Sequence, residues 1–433
     1  MRTHAISRDL FAALAAGGGG PEAIRALTTA EDSKHGLLLR GIVHAAQAVG
    51  DDQARLTRHG WDALVAAERQ APDAVTQTLR YPSVGAWALR TLKALRGGAS
   101  APRAHPARLA AVAAAAAIRS GLDAEVQVRS EAGVIGLPSL GAARVNADVA
   151  TVHSSAGRTE IRWARGQVAI PPDPQQDAPG WQGVRRVCAG NLDIGIDDLD
   201  PFRMPAVQGL ASRLSAREAE EWTQAIQQGW RLLVADHAEV ATEIAATTSV
   251  VVPLSPSVHG QLSSSSPETF GAIAMSQPAD PHTCAVTLTH EVQHLKLGAL
   301  LDIMRLTLTD DGRRYYAPWR DDPRPIAGLL QGAYAYLGVT GFWRIQRHVA
   351  SGAARVRADG EFALWRAGTA RVIDTLLSSQ GLTTDGLDFV QRMSKTVTAW
   401  RDEPISADAR AYALRESESH LIRWESHHGP VPA

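Results

Sequence analysis

Cysteine is scarce in this chain: Cys188 and Cys284 are the only two among 433 residues. Two thiols are too few for an iron–sulfur cluster or for a zinc site built from cysteines. They also argue against a scaffold held together by disulfides. The chain must therefore form its structure by burying apolar surface, and its length is enough for roughly two or three domains.

The chain also lacks an excess of charge and lacks long apolar runs. It has 44 Lys and Arg residues against 45 Asp and Glu residues, so no general attraction to nucleic acid or to a membrane surface is expected. No segment approaches the ~18 apolar residues that a membrane span requires. The N-terminal stretch MRTHAISRDLFAALAAGGGG favours an amphipathic helix over a secretion signal. We therefore predict a cytoplasmic protein that binds neither nucleic acid nor membranes.

Hydrophobic periodicity divides the chain into three regions. Residues 1–122 have apolar side chains at three- and four-residue spacing, which predicts an N-terminal helical region. Residues 123–205 alternate apolar with polar side chains, which indicates a β-rich region. Residues 206–433 are predicted to be a helical, metal-binding catalytic region. The predicted fold class is α+β: mostly helical, with a small mixed or antiparallel sheet and a zincin-like helix that carries an H-E-x-x-H motif.

Two further predictions concern the segments before this motif. The stretch SAREAEEWTQAIQQGWRLLVADHAEVATEIAATTS is predicted to be one long helix, because Ser215 and Glu218 fit a capping box at its start. The following VVVPL and residues 270–275 are predicted to be strands. The second of these strands has two interpretations: an edge strand to which an extended peptide can add, or an internal strand of a sheet.

The motif itself consists of His290, Glu291 and His294 in the stretch THEVQHLKLG. On an α-helix, residues i and i+4 lie about 40° apart around the axis and about 6 Å apart along it. The two imidazoles can therefore reach one metal ion, while Glu291 lies on the flank of the same face. The pattern predicts a metal site in which Glu291 faces a metal-bound water or another ligand of the metal.

Two imidazoles leave such a site incomplete. Catalytic zinc takes three protein ligands and a water, whereas non-haem Fe(II) is held by two histidines and a carboxylate, with positions open for co-substrates. The third His of the extended H-E-x-x-H-x-x-G-x-x-H motif is absent, and residues 303–349 contain no Glu. The candidates for the third ligand are Asp321, Asp322 and Gln331, and the sequence does not choose among them.

The loop WRDDPRP supplies two arginines, Arg320 and Arg324, beside these candidates. An arginine can hold a carboxylate through two parallel hydrogen bonds. The two arginines are therefore candidates for binding the distal carboxylate of 2-oxoglutarate. The alternative is that they pair with the aspartates of their own loop.

Several stretches resemble the HExxH-motif domain of bacterial peptide-maturation systems. They are LTHEVQHLKLGALLD, YAPWRDDPRPIAGLLQGAYAYLGVTGFW, SSSSPETFGAIAMSQP and HAISRDLFAALAAGGGGPEAIRAL, so the likeness extends over nearly the whole chain. The H-E-x-x-H motif is shared with unrelated peptidases, whereas the block from YAPWRDDPRP to LLQG is much more specific. Members of this family are described as 2-oxoglutarate- and Fe(II)-dependent peptide β-hydroxylases, and they occur alone or behind a radical S-adenosylmethionine domain.

The resemblance implies an oxygenase that β-hydroxylates a side chain of a ribosomally synthesised precursor peptide. Its cofactor would be Fe(II), its co-substrates 2-oxoglutarate and molecular oxygen, and His290 and His294 would be the iron ligands. Some relatives carry His where this chain has Gln331. The chain lacks a CxxxCxxC motif, so it resembles the stand-alone form, with a radical S-adenosylmethionine maturase as a separate partner. In this function Glu291 orients a ligand or a water near the iron.

The residues alone favour a second function, a zinc metallopeptidase such as one that removes a leader peptide. Glu291 would then be the general base that deprotonates the zinc-bound water. The oxyanion would be stabilised by Arg320 or by a tyrosine, for which the candidates are Tyr315, Tyr316 and Tyr334. A third class is a peptide-binding module that retains the motif without catalysis.

Overall fold

The computed structural model describes residues 4–48, 51–97, 104–205, 207–256 and 260–431. The structure is 58% helical, and its described residues form 13 α-helices and small antiparallel and mixed sheets. The α+β class predicted from the sequence is therefore confirmed. Ala206, where the third predicted region begins, lies outside the described residues.

The helices are α1 (Arg8–Ala15), α2 (Gly20–Ala45), α3 (Asp51–Gln70), α4 (Pro72–Leu79), α5 (Pro82–Arg96), α6 (Leu109–Arg119), α7 (Ala216–Asp236), α8 (Ala238–Thr247), α9 (Pro281–Ile303), α10 (Ile326–Val349), α11 (Gly352–Ser378), α12 (Thr384–Ala399) and α13 (Ala407–His428). The strands are β1 (Ala124–Arg129), β2 (Val134–Leu137), β3 (Gly141–Arg144), β4 (Val149–Ser155), β5 (Arg158–Trp163), β6 (Gly166–Ile170), β7 (Trp181–Gly183), β8 (Arg185–Ala189), β9 (Leu192–Ile196), β10 (Val250–Pro253), β11 (Ser263–Ser264) and β12 (Ala272–Met275).

Contacts between these elements group the chain into two compact units. The first unit consists of Met1–Thr28, Gln228–Thr247 and Ala279–Ala433, and the second consists of Thr29–Gln227 and Thr248–Pro278. Each unit joins segments that are far apart in the sequence, which hydrophobic periodicity cannot reveal.

The first unit is built around α9, α10 and α11. Helix α10 packs against both α9 and α11, and α11 also packs against α12 and α13. Helix α9, which carries the H-E-x-x-H motif, buries most of its residues. Because it is surrounded in this way, its two motif histidines are held on a fixed backbone.

The long helix predicted from Ser215 onward is interrupted at His237, so that prediction was wrong. The side chain of His237 is only 4% exposed, and its ring stacks on Phe342 with the centroids 4.4 Å apart. Its Nε2 also lies 2.9 Å from Nε2 of Gln346. These tertiary contacts fix the ring in the core at the point where α7 ends and α8 begins.

The described residues of the second unit form three sheets, in agreement with the predicted mixed or antiparallel strands. Two sheets are antiparallel, with strand orders β1-β4-β5-β6 and β2-β3-β7. The third has the order β11-β12-β10-β9-β8, in which β10 is parallel to both β9 and β12. Strand β12 is thus internal, which confirms the second of the two interpretations of residues 270–275.

Helix α6 forms the centre of the second unit. Its residues from Leu109 to Ala117 are all buried, and it packs against α3 and β1. The contact with α3 is close: a Cβ on Gly60 would lie 2.5 Å from the backbone nitrogen of Ala110. Glycine at position 60 therefore allows the backbones of α3 and α6 to approach.

None of the helices in the described part of the chain combines the length and the apolar character that crossing a membrane would require.

Candidate metal centre

Helix α9 has a well-defined start that sets the position of the motif. The N-cap residue Asp280 accepts hydrogen bonds from the backbone nitrogen of Thr283 at 2.9 Å and from its hydroxyl at 2.6 Å. Pro281 occupies the first helical position, where its missing N–H is not needed. The helix then runs without a break through the motif to Ile303.

His290 and His294 face each other across one turn of α9. Their Nε2 atoms lie 3.1 Å apart, and their ring centroids are 4.8 Å apart. Bonds of about 2.0–2.1 Å from each nitrogen to one shared ion would place the nitrogens roughly 3 Å apart. The two imidazoles therefore fit a single metal ion held between their Nε2 atoms, as the sequence predicts.

Gln331 supports this arrangement from the other side of His294. Its Oε1 lies 3.1 Å from Nδ1 of His294. An amide oxygen can only accept, so Nδ1 carries the proton and Nε2 keeps its lone pair for a metal. In this position Gln331 faces the nitrogen that the metal would not use, and it acts as a support for His294.

His290 is held in the neutral form that a metal requires. Burial and, to a smaller extent, the neighbouring imidazole of His294 hold the pKa of His290 well below its ordinary value. The ring also packs edge-on against Tyr336, with the centroids 5.2 Å apart. The His290 side chain nevertheless retains 22% exposure, so the site is accessible from outside.

Glu291 is almost completely buried beside the two histidines. Its side chain is 1% exposed, and its Oε1 lies 3.9 Å from Nε2 of His290. Its Oε2 is buried and has no hydrogen-bond partner among the described residues. A buried carboxylate oxygen without a donor is unfavourable, so Glu291 is suited to accept a proton or a hydrogen bond from a group bound at the metal.

Asp322, a predicted third ligand, instead pairs with the arginines of its own loop. It accepts hydrogen bonds from Nε of Arg320 at 2.9 Å and from Nη1 of Arg324 at 2.8 Å. Burial raises the pKa of Asp322, but the hydrogen bonds from Arg324 and Arg320 outweigh this effect and lower it overall. The alternative interpretation, pairing within the loop, is the one observed.

Asp321, another candidate for the third ligand, is exposed and lies near His420. Its side chain is 97% exposed, and its Oδ1 lies 3.7 Å from Nε2 of His420. Across the described ranges of the chain, no group of three His, Cys, Asp or Glu side chains is placed to hold a metal ion. Of the candidate ligands, the structure therefore brings His290 and His294 together, with Gln331 on the other side of His294.

The arginine-containing loop is joined to the histidines through a stack of aromatic rings. Trp319 stacks on Tyr336 with the centroids 4.3 Å apart, and Tyr336 in turn contacts His290. A Cβ on Gly332 would lie 2.5 Å from Nε1 of Trp319. Only glycine at this position leaves room for the indole, so Gly332 allows the loop to lie against α10.

Tyr336 is the residue of this site that the sequence analysis missed. The pKa of its hydroxyl is raised, mainly by burial and then by the charge of Glu361. Of the smaller effects on this pKa, Arg320 lowers it and Glu291 raises it. Its hydroxyl is therefore within electrostatic range of both the arginine loop and the motif glutamate. The signal in the sequence was the four-residue spacing of Gly332 and Tyr336. This spacing places a residue without a side chain and an aromatic ring on the same face of a helix.

The tyrosines chosen from the sequence are engaged elsewhere. The hydroxyl of Tyr334 donates to the backbone oxygen of Leu14 at 2.7 Å, and that of Tyr316 lies 2.8 Å from Nδ1 of His420. The backbone nitrogen and oxygen of Tyr315 pair with Arg324. None of the three contacts the motif residues in the described part of the chain.

A buried ion pair fixes the side of α9 that faces away from the metal site. Nζ of Lys296, which is 1% exposed, lies 2.6 Å from Oε2 of Glu243 and 2.9 Å from the backbone oxygen of Gly18. The other carboxylate oxygen of Glu243 accepts from the backbone nitrogen of Gly20 at 2.9 Å. The pair therefore joins α8, α9 and the glycine run after α1.

No protein-family model matches the chain, and a search of the curated proteins finds no match. The function of the site is therefore inferred from its geometry and chemistry.

Proposed function

We propose that the chain is an Fe(II)- and 2-oxoglutarate-dependent oxygenase that β-hydroxylates a side chain of a ribosomally synthesised precursor peptide. The observation that supports this proposal best is the pair of Nε2 atoms 3.1 Å apart in His290 and His294. The two histidines would supply two of the three protein ligands of a non-haem Fe(II) site, and the remaining positions of the iron are open to a co-substrate and oxygen. Among the described residues, no carboxylate is placed to act with the two histidines as the third protein ligand. The family resemblance favours the same function.

Each residue of the site would have a separate role. His290 and His294 would hold the metal, and Gln331 would fix the tautomer of His294. When bound, the iron supplies oxygen activation: 2-oxoglutarate is oxidised to succinate and carbon dioxide, and a C–H bond of the peptide becomes C–OH. Glu291 would accept a hydrogen bond from a group at the open side of the metal.

Arg320 and Arg324 would bind the distal carboxylate of 2-oxoglutarate. Each uses one nitrogen to contact Asp322, and a guanidinium has five N–H donors. Asp322 therefore holds the two arginines in place and leaves donors free for a further carboxylate. The side chains of Arg320 and Arg324 are 54% and 33% exposed, so a co-substrate can reach them.

The test is reconstitution of the full chain with Fe(II) and 2-oxoglutarate under anaerobic conditions, followed by the addition of a precursor peptide and air. The expected product is a peptide heavier by one oxygen atom, formed together with an equal amount of succinate. The variant His290→Ala should form neither. A cleaved peptide in the presence of zinc, without any dependence on oxygen, would contradict the proposal.

A second function, zinc metallopeptidase, is favoured by one specific observation. Glu291 places a buried carboxylate, with one oxygen that lacks a partner among the described residues, next to His290. This is the arrangement expected of a general base for a metal-bound water. The zincin-like helix predicted from the sequence is proposed for either function. Glu291→Gln separates the two: a peptidase should lose essentially all activity, whereas a hydroxylase should keep a measurable part.

The oxygenase proposal also includes the partners of the protein and its location in the cell. The substrate would be a precursor peptide, a radical S-adenosylmethionine maturase would act on the same peptide, and the protein would be cytoplasmic.

A further inference from the structure

The second unit contains a cavity that is separate from the H-E-x-x-H motif. It has a volume of about 370 Å³, which lies in the range of small-molecule sites. Its walls come from the start of α6, from β2 and β3, and from the turn that follows β9. Most of the lining is apolar: Ala111, Val134, Leu137, Ala142, Val184 and Leu199.

One side of the cavity is formed by a buried arginine with unused donors. The side chain of Arg108 is 6% exposed, and its Nη2 donates to Oδ2 of Asp200 at 2.6 Å. Its Nε is buried and has no partner among the described residues. Its Nη1 points toward β2, because a Cβ on Gly136 would lie 3.9 Å from it.

Asp200 is held firmly, so Arg108 is fixed in position. Its Oδ2 also accepts from the hydroxyl of Ser83 at 2.8 Å, and its Oδ1 accepts from the backbone nitrogen of Phe202 at 2.8 Å. The guanidinium of Arg108 lies over the ring of Phe202, 5.0 Å from its centroid. A fixed guanidinium binds an anion without the loss of side-chain entropy that a mobile one incurs.

A second arginine, Arg129, offers the cavity a further guanidinium. Arg129, at the end of β1, lines the cavity and is half-buried. No ion pair or hydrogen bond of its side chain occurs within the described ranges. Glu131 also lies in the wall, with its Oε1 3.1 Å from Nδ1 of His105, and Asp200 pairs with Arg108. The wall thus holds two arginines and two carboxylates, and the Arg129 guanidinium has no ion pair among the described residues.

The position of the cavity in the sheet is also typical of a ligand site. Leu199 and Asp200 in its wall follow β9 at the carboxyl end of that strand, and β9 is parallel to β10. Ligands of sheets with parallel strands bind beyond the carboxyl ends of those strands. Asp197, the first residue of this turn, is held in place by hydrogen bonds that it accepts from the hydroxyl of Tyr81 and from the backbone nitrogens of Leu199 and Asp200.

We propose that this cavity binds a small organic carboxylate with an apolar body. The carboxylate pairs with Arg129 and with the unused edge of Arg108, and the apolar body lies against β2 and β3. The site is a binding site additional to the proposed metal centre, and it does not depend on the function proposed for His290 and His294.

The test uses octanoate as the probe and octan-1-ol as its uncharged counterpart. Isothermal titration of the full chain should show saturable binding of octanoate and at least about tenfold weaker binding of the alcohol, since a charge-assisted hydrogen bond contributes more than a factor of ten. Arg129→Gln should weaken octanoate binding by a similar factor. Arg144→Gln, an exposed arginine at the end of β3, is the matched control and should bind as the wild type does.

A second variant tests the cavity by filling it. Apart from Nη1 of Arg108, no atom lies within 4 Å of a Cβ at Gly136, so Gly136→Val should fit without strain, and valine is favoured in strands. Its unfolding midpoint should match or exceed that of the wild type, while octanoate binding is lost. The proposal would be overturned by octanoate binding that is unchanged in both Arg129→Gln and Gly136→Val. It would also be overturned if neither octanoate nor hexanoate binds in a saturable way.

Discussion

Oε1 of Gln331 lies 3.1 Å from Nδ1 of His294, on the opposite edge of the imidazole from the nitrogen that faces His290. This contact determines which nitrogen of His294 carries the proton. It thereby keeps Nε2 free for a metal, and it connects α10 to the motif on α9. Gln331 thus supports His294, the proposed metal ligand, through its Nδ1.

Gln331→Ala should therefore weaken metal binding without unfolding the protein. Partners of metal-bound histidines contribute about 10–100-fold to metal affinity. We expect a loss of that size for Fe(II) or zinc, measured by competition with a chelator of known affinity. Gln391→Ala, an exposed glutamine on α12, is the control and should leave the affinity unchanged. Equal affinities for the Gln331→Ala variant and the wild type would show that the contact does not orient His294.

Gly332→Ala should disturb the aromatic stack that joins the arginine loop to His290. The new Cβ would lie 2.5 Å from Nε1 of Trp319, so the indole has to leave its position on Tyr336. We expect a loss of about 1–3 kcal/mol in the free energy of unfolding, and an altered tryptophan fluorescence in the folded state. Both quantities can be measured in one urea titration.

Gly341→Ala is the matched control on the same helix. There the nearest atom to a new Cβ is 3.6 Å away, in the ring of Trp400. Because alanine is the better helix former, this change should stabilise α10 by up to about 1 kcal/mol. If both variants behave alike, steric contact with Trp319 is not the reason for glycine at position 332.

The stability of the protein should depend on the ionisation of His237. Burial lowers its pKa to about 4, although Asp236 acts in the opposite direction; the nearby His282 lowers it further. Between about pH 6.5 and about pH 4 the unfolded chain binds a proton that the folded chain excludes. The contribution of His237 to stability is therefore complete above about pH 6.5 and decreases as the pH falls, by up to about 3 kcal/mol.

The measurement for His237 is urea unfolding of the wild type and His237→Asn at about pH 7.5 and about pH 5. The wild type should lose more stability than the variant on acidification. Comparing the two removes the effects of the other titrating groups, including Asp197, whose pKa burial raises to about 6. Parallel pH profiles of the two proteins would contradict the assignment.

Lys296→Met should destabilise the first unit strongly. It leaves the carboxylate of Glu243 buried without its counter-charge, for which the expected loss is about 3–5 kcal/mol. The double variant Lys296→Met/Glu243→Gln should recover most of this loss, which a double-mutant cycle of unfolding free energies measures. Lys395→Met, an exposed lysine on α12, should change stability by less than about 0.5 kcal/mol. Additive effects in the cycle would show that the pair is not coupled.

The parts of the fold that the sequence predicted are those governed by local rules. The spacing of His290 and His294 follows from the helix repeat, so their approach did not depend on any distant segment. The strands β1, β5, β6, β8 and β9 followed from the alternation of apolar and polar residues. Helix α9 followed from its apolar faces and from Pro281 at its start.

The predictions that were wrong or incomplete depended on tertiary contacts. Asp322 was a reasonable ligand by residue type, but its neighbours Arg320 and Arg324 fold back onto it. Tyr336 was missed because its ring meets His290 only after α10 packs against α9. The break at His237 depends on Phe342 and Gln346, which are more than 100 positions away in the sequence.

We propose that His290 and His294 hold an iron that activates oxygen, and isotope-labelled oxygen tests this proposal most directly. The precursor peptide is treated with the Fe(II)-loaded protein and 2-oxoglutarate in two experiments. One uses isotope-labelled dioxygen in unlabelled water, and the other uses unlabelled dioxygen in isotope-labelled water. An oxygenase should give an intact peptide that carries one oxygen atom from the gas. A shortened peptide whose new carboxylate carries oxygen from the water would contradict the account and identify the protein as a peptidase.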